Sequence, residues 1–165
     1  MELIVAVSSN WGIGNEGRLL FSIPEDMKFF RRMTEGKTVV MGRRTLETLP
    51  GGRPLKNRNN LILTRDQALE VPGAQVCHSV DEVLQAVREL PSEQVMVMGG
   101  EQVYRQLLPY CARAYVTHVE APAQADSFFP DLSREPGWRL EQRGEENRCG
   151  ELTYRFCTYV NREVL

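Results

Sequence analysis

Apolar positions along this 165-residue chain recur in two rhythms. Short runs rich in β-branched residues or methionine read as buried strands: LIVAV (3–7), TVVM (38–41), NLILT (60–64) and QVMVM (94–98). Helical spacing follows several of them, over residues 24–34, 43–49 and 101–108. A further helix over 79–90 opens with a Ser79-x-x-Glu82 capping box and follows the brief strand AQVCH. Strands alternating with helices predict a mainly parallel, twisted sheet covered by helices on both faces. The C-terminal third changes character: residues 113–120 and 151–160 are strand-like, and WRLEQRGEENRCG between them supplies another strand and a turn. The expectation is a single α/β domain over 1–165, its mixed sheet ending in an antiparallel C-terminal edge.

Composition narrows the field. The length suits one domain that buries roughly two thirds of its unfolded surface. A net charge of −2 leaves no electrostatic footprint for nucleic acid. Four cysteines without C-x-x-C spacing, and two histidines far apart, give no metal site, and the thiols are expected to be reduced. The N-terminal MELIVAV has no basic flank, and its apolar run is too short for a membrane span or a signal segment. A cytoplasmic, monomeric protein without membrane contact is expected.

The stretch FSIPEDMKFF, residues 21–30, carries two adjacent acids. With Ser22 as the N-cap, Glu25 completes a capping box, and Pro24 suits the first turn. Ile23, Met27, Phe30 and Thr34 then form one stripe, with Asp26 on its apolar flank. Complementing the helix dipole contributes only about 0.3–1 kcal/mol. Half-burying an unpaired carboxylate costs several kcal/mol, so a buried Asp26 needs a partner. A ligand with paired N–H donors would serve, and burial would raise the acid's pKa and poise it for proton transfer. The plain dipole reading stands beside this one.

Three strand ends suit phosphates. VVMGRRT runs into Gly42, Arg43, Arg44 and Thr45 at a helix start, LILTR ends in Thr64 and Arg65, and VMVMGGEQVY ends in Gly99-Gly100 before a helix. Each alone is an ordinary turn or a solvated charge. Together they are informative, because ligands of open α/β sheets bind beyond the carboxyl ends of the strands. The G-x-G-x-x-G fingerprint is absent, and Arg65 stands where a reader of NADH would place a carboxylate. A 2′-phosphate, hence NADPH, is favoured.

These residues carry a resemblance. WGIGNEGRLLFSIPEDMKFF, VVMGRRT, RPLKNRNNLILTR, VMVMGGEQVY, YVTHVE and DSFFPD are similar, in order and spacing, to the landmarks of the dihydrofolate reductase family across essentially the whole chain. The resemblance implies NADPH-dependent reduction of 7,8-dihydrofolate to tetrahydrofolate, with hydride passing from nicotinamide C4 to pterin C6 and a proton to N5. That product supports one-carbon metabolism and thymidylate and purine synthesis. Antifolate-type molecules become expected ligands.

It further implies roles residue by residue. Asp26 is the acid that binds the pterin, Thr117 supports it, and Ala6, Met27 and Phe30 wall the pocket. Arg58 takes the substrate's α-carboxylate, and Tyr104, grouped with the catalytic residues, stands beside the nicotinamide. For the cofactor it implies Ala6, Ile13, Gly14, Arg18, Leu19, Gly42, Arg43, Arg44, Thr45, Thr64, Arg65, His78, Met98, Gly99, Gly100, Gln102, Val103 and Tyr104. Residues 10–22 match a mobile loop, held closed by Asp126 accepting the N–H groups of Gly14 and Glu16. Departures are Leu20-Phe21 where the family usually has Pro-Trp, and Leu46 in place of an aromatic. Two rivals stand at this point. A pyrimidine reductase of riboflavin synthesis would not need Asp26 and Arg58 together. A non-catalytic nucleotide sensor would need only the Gly-Gly turn and the arginines.

Overall fold

The computed structural model describes residues 1–165. β1 (Glu2–Val7) is followed by two short strands, β2 (Gly12–Asn15) and β3 (Arg18–Leu19), and then by α1 (Pro24–Thr34). β4 (Thr38–Gly42) runs straight into α2 (Arg43–Thr48), β5 (Asn59–Leu63) and β6 (Ala74–Cys77) precede α3 (Val80–Ala86), and β7 (Val95–Val97) leads to α4 (Glu101–Leu107). β8 (Arg113–Val119), β9 (Ser127–Phe128), β10 (Trp138–Arg143), β11 (Asn147–Cys149) and β12 (Leu152–Asn161) complete the chain. No helix is long and apolar enough to cross a membrane.

Nine strands join in one sheet of order β10-β12-β8-β1-β7-β4-β5-β6, with β11 on β12. From β8 to β6 every pairing is parallel; β10, β11 and β12 pair antiparallel, as expected for the C-terminal edge. The period of two in each strand sorts the core into two layers. Leu3, Val5, Val7, Val40 and Val97 pack with Val83 of α3 and with Val103 and Leu107 of α4. Ile4, Val39, Met41, Ile62 and Met96 pack with Leu46 of α2 and with Phe29, Phe30 and Met33 of α1. Helices therefore cover both faces.

Local details depart from expectation. Ile23, not Ser22, is the N-cap of α1, and no side chain caps the helix. The residue before a proline is pushed to extended backbone, so Pro24 moves the cap to Ile23, which has no acceptor. Glu25 then pairs with exposed Lys28 at 3.3 Å and caps nothing. The stripe also turns: Phe29, Phe30 and Met33 pack inward while Met27 is 63% exposed, so Asp26 belongs to the inner face and not to its flank. The Ser79 cap holds, its Oγ accepting the Glu82 N–H at 3.1 Å, but α3 ends at Ala86, short of residue 90. Residues 10–22, expected as a loop, contain β2 and β3, which form a separate small sheet with β9.

Gly144 donates its N–H to the Phe156 carbonyl at 2.9 Å, and a Cβ at this position would overlap that same oxygen. Gly144→Ala should cost roughly 1–3 kcal/mol through overpacking and lower the Tm by several degrees. Thermal unfolding followed by circular dichroism measures it; an unchanged Tm would show that the C-terminal hairpin simply shifts aside.

Candidate active site

Parallel pairing sets the candidate residues side by side. Across β8, β1, β7, β4, β5 and β6 the C-terminal halves or ends carry Thr117, Ala6, Met98 with Gly99, Gly42, Thr64 and His78 in that order. Ala6 is opposite Thr117 in the β1–β8 ladder, and Gly42 donates its N–H to the Gly99 carbonyl at 2.9 Å. The three phosphate-like strand ends follow three adjacent strands, β7, β4 and β5.

Asp26 enters this row from above, on the first turn of α1. Its Oδ1 accepts the Thr117 hydroxyl at 2.6 Å. Thr117 is buried between Ala6 of β1 and Phe156 of β12, so the donor is fixed by two ladders. Phe29, one turn along α1, stacks at a tilt on Phe156 with centroids 4.7 Å apart, which pins the helix over the sheet. Burial raises the pKa of Asp26, and the Thr117 hydrogen bond offsets part of that rise. Oδ2 has no protein donor among the side-chain hydrogen bonds, so one face of the carboxylate is open to a ligand.

Tyr104, expected beside the nicotinamide, is buried on α4. Its hydroxyl donates to the Ile4 carbonyl at 2.6 Å, and burial holds the phenol neutral, its pKa far above the ordinary value. One edge of its ring lies against Gly99: a Cβ there, at φ +108°, would come 3.0 Å from Tyr104 Cε2. Tyr104 thus packs under the Gly99-Gly100 turn, whose peptide bond is cis. The turn excludes side chains because the ring already fills their space. Gly42 is constrained likewise, a Cβ there falling 3.0 Å from Val103.

At the β5 and β6 ends lies a cavity of about 540 Å³ lined by Thr64, Arg65, His78, Ser79, Gln102 and their neighbours, with no carboxylate among the lining residues. His78 Nδ1 is 3.1 Å from the Thr64 carbonyl; that oxygen only accepts, so the proton is on Nδ1. Arg44 and Arg65 are exposed and in no ion pair, whereas Arg43 is held by Asp66 at 2.9 Å and Glu47 at 3.4 Å. The expected pair Arg43 and Arg44 is therefore split, Arg43 ion-paired and Arg44 not, while Arg65 lines the cavity without an ion-pair partner.

Arg58 is set by its neighbours. Nε donates to Thr34 Oγ1 at 3.2 Å and Nη1 to the Lys56 carbonyl at 2.9 Å, leaving Nη2 free. Thr34 in turn donates its hydroxyl to the Phe30 carbonyl at 2.8 Å, so α1 both walls the cleft and orients the guanidinium. Desolvation lowers the Arg58 pKa, against a neighbouring Glu35 that raises it. Buried Asn60 braces the loop by bonding Leu55 twice and the Arg58 carbonyl once. Sequence reasoning missed Thr34 and Asn60: Thr34 reads as the end of an apolar stripe and Asn60 as the polar start of a strand.

The 10–22 segment is tied down by Asp126, as expected but in another pattern. Asp126 Oδ2 accepts the Glu16 N–H at 2.9 Å, while the Gly14 link runs the opposite way, from the Asp126 N–H to the Gly14 carbonyl at 3.0 Å. β2 pairs with β9 through Gly12 and Gly14. Ile13 packs against the main core, whereas Arg18 and Leu19 are exposed on β3.

Comparison with known proteins converges on one family. A family model described as dihydrofolate reductase matches residues 1–161. Dihydrofolate reductase type 3 of Salmonella typhimurium is 36% identical over 161 residues, covering 97% of this chain and 95% of the relative. The Bacillus subtilis (strain 168) dihydrofolate reductase is 32% identical, covering 96% and 93%. The chain belongs to the dihydrofolate reductase family. A solved dihydrofolate reductase from Enterococcus faecalis, complexed with NADP(H) and RAB-propyl, superposes with a TM-score of 0.86 at 32% identity, over 97% of this chain and 95% of that one.

Within the dihydrofolate reductase family, the two departures now have a structural content. Phe21 packs on Ile23, Val119 and Tyr154, giving an apolar contact where an indole would offer an N–H. Leu46 is buried with Ile4, Val39 and Met41. Both are absorbed by packing.

Because burial raises the Asp26 pKa, the folded protein holds that proton more tightly than the unfolded chain does. The acid's contribution is favourable below the unfolded pKa and is lost as pH rises through the folded one. Asp26→Asn, which keeps an oxygen for Thr117, should therefore raise the Tm at pH 7, with the gain shrinking toward acid. Calorimetry across pH checks this; a variant less stable than the parent at neutral pH would mean the carboxylate is not penalised by burial.

Proposed function

We infer that this protein reduces 7,8-dihydrofolate to 5,6,7,8-tetrahydrofolate with NADPH as cofactor, in one domain spanning residues 1–165. The observation that carries the inference is Asp26: a half-buried carboxylate with one oxygen fixed by Thr117 and a raised pKa, set on the cleft wall beside the ends of the parallel strands. Family membership removes the two rival readings, since neither needs this acid together with Arg58.

The residues fit both ligands. A pterin's ring N–H and amino group would donate to Asp26, with Ala6, Met27 and Phe30 around the ring. Burial raises the acid's pKa above the ordinary carboxylate value, which makes it better able to hold a proton and favours protonation at N5. Arg58, oriented by Thr34, would take the substrate's α-carboxylate. A cavity without carboxylates, lined by Arg65, His78, Thr64 and Gln102, suits the adenosine phosphate end of NADPH over NADH. Gly42, Gly99 and Gly100 leave backbone room for the pyrophosphate, with Arg44 and Thr45 beside it. NADPH, when bound, supplies the hydride. The chain's part is to align the two rings between the β7 end and α1 and to exclude water with the 10–22 segment. All proposed contacts come from one chain, which supports action as a monomer, and four free thiols suit the cytoplasm. Planar antifolates bearing paired N–H donors would compete at Asp26.

Purified protein should oxidise NADPH when given dihydrofolate, and Asp26→Asn should slow turnover by roughly 10²-fold or more at pH 7 while NADPH still binds. Nucleotide absorbance follows the reaction; tight NADPH binding without turnover would sink the reading. Arg58→Leu should raise the KM for dihydrofolate by roughly tenfold or more through loss of a charge-assisted bond, with the KM for NADPH within about twofold. Equal rises in both would indicate a general folding defect.

A further inference from the structure

Glu101 stands immediately after the Gly99-Gly100 turn, as the first residue of α4. A carboxylate beside a turn suited to a pyrophosphate is electrostatically adverse unless it is engaged elsewhere. It is engaged: Oε1 accepts the backbone N–H of Phe128 at 2.5 Å. Phe128 lies in β9, and β9 is the strand that pairs with β2 of the 10–22 segment. The next residue repeats the link by another route. Phe129 donates its N–H to the Trp11 carbonyl at 2.9 Å, and its ring stands edge-on to Tyr104 with centroids 5.0 Å apart. Tyr104 follows Glu101 by three residues on α4 and fills the space under Gly99. The small sheet therefore hangs between two carboxylates, Asp126 on the Glu16 amide at its tip and Glu101 on the Phe128 amide at its base.

We propose that Glu101 is a positioning residue: through the Phe128 amide it joins the small sheet of β2, β3 and β9 to the Gly99-Gly100 turn and Tyr104, so that the cover and the cofactor-facing turn move as one body. The inference rests on the reductase reading above. A carboxylate bonded to a backbone amide is a charge-assisted hydrogen bond, stronger than a neutral one. The bond spans 27 residues, whereas the carboxylate–amide bond on α3, from the His78 N–H to Glu82, is local, so Glu101 ties a nucleotide-facing element to the cover.

The test uses E101A and E101Q in the full chain. Amide hydrogen exchange is read by NMR with NADPH bound, alongside steady-state kinetics and the Tm of each variant. E101A should speed exchange at Phe128 and, at a distance, at Glu16 by about tenfold, and raise the KM for NADPH by a similar factor, leaving that for dihydrofolate within about twofold. E101Q, whose side-chain oxygen still accepts, should recover most of both effects. If E101A does not fold, E101D withdraws the oxygen by one methylene and should give the same two readouts. Unchanged exchange at Glu16, an E101Q as defective as E101A, or tighter NADPH binding in E101A would each overturn the proposal. Absence of dihydrofolate turnover in the parent protein would overturn the reductase reading alone, because exchange and NADPH affinity remain measurable.

Discussion

Parallel pairing of six consecutive strands, from β8 through β1, β7, β4 and β5 to β6, is the constraint on which the functional cleft depends. In such a ladder all carboxyl ends emerge at one edge, and the residues just beyond them become neighbours however far apart they lie in sequence. Thr117, Ala6, Gly99, Gly42, Thr64 and His78 meet in this way. Six positions, two glycines, an alanine, two threonines and a histidine, that mean little alone become one continuous wall. α1 then closes the wall from the other side, held by Phe29 on Phe156 and by Asp26 on Thr117.

Electrostatics divides the cleft along its length. At the α1 end one acid is half-buried, with a single hydroxyl donor and a raised pKa. At the β5–β6 end the cavity has no acid, and Arg65 is unpaired. A ligand set that is a hydrogen-bond donor at one end and a phosphate ester at the other satisfies both halves, and the reverse orientation satisfies neither. Between them Arg43 is ion-paired with Asp66 and Glu47, whereas Arg44 beside it is in no ion pair.

Much of this was legible in the sequence because its signals are local. The buried strands are continuous apolar runs, the Gly-Gly turn and the arginines sit directly after them, and Asp26 stood out as an acid that helix chemistry did not explain. What escaped was tertiary. Pro24 shifted the cap by one residue and left Glu25 on the surface, because the preference of a single residue before proline outweighed the capping box. β2, β3 and β9 are too short to show a period, so their sheet was invisible as anything but a loop. Arg43 looked free because Asp66 is 23 residues away, and Thr34 and Asn60 gave no hint that they hold Arg58. Sequence spacing finds groups that act where they stand; it does not find groups that act by holding others.

The hydroxyl that holds Asp26 belongs to a residue 91 positions further along the chain, on a strand enclosed by β1 and β12. One flank of that strand is thus built from residues 2–7 and the other from residues 152–161. The Asp26–Thr117 geometry therefore depends on segments far apart in sequence being packed on either side of β8. Closing the sheet and fixing the acid's partner are in this sense one event.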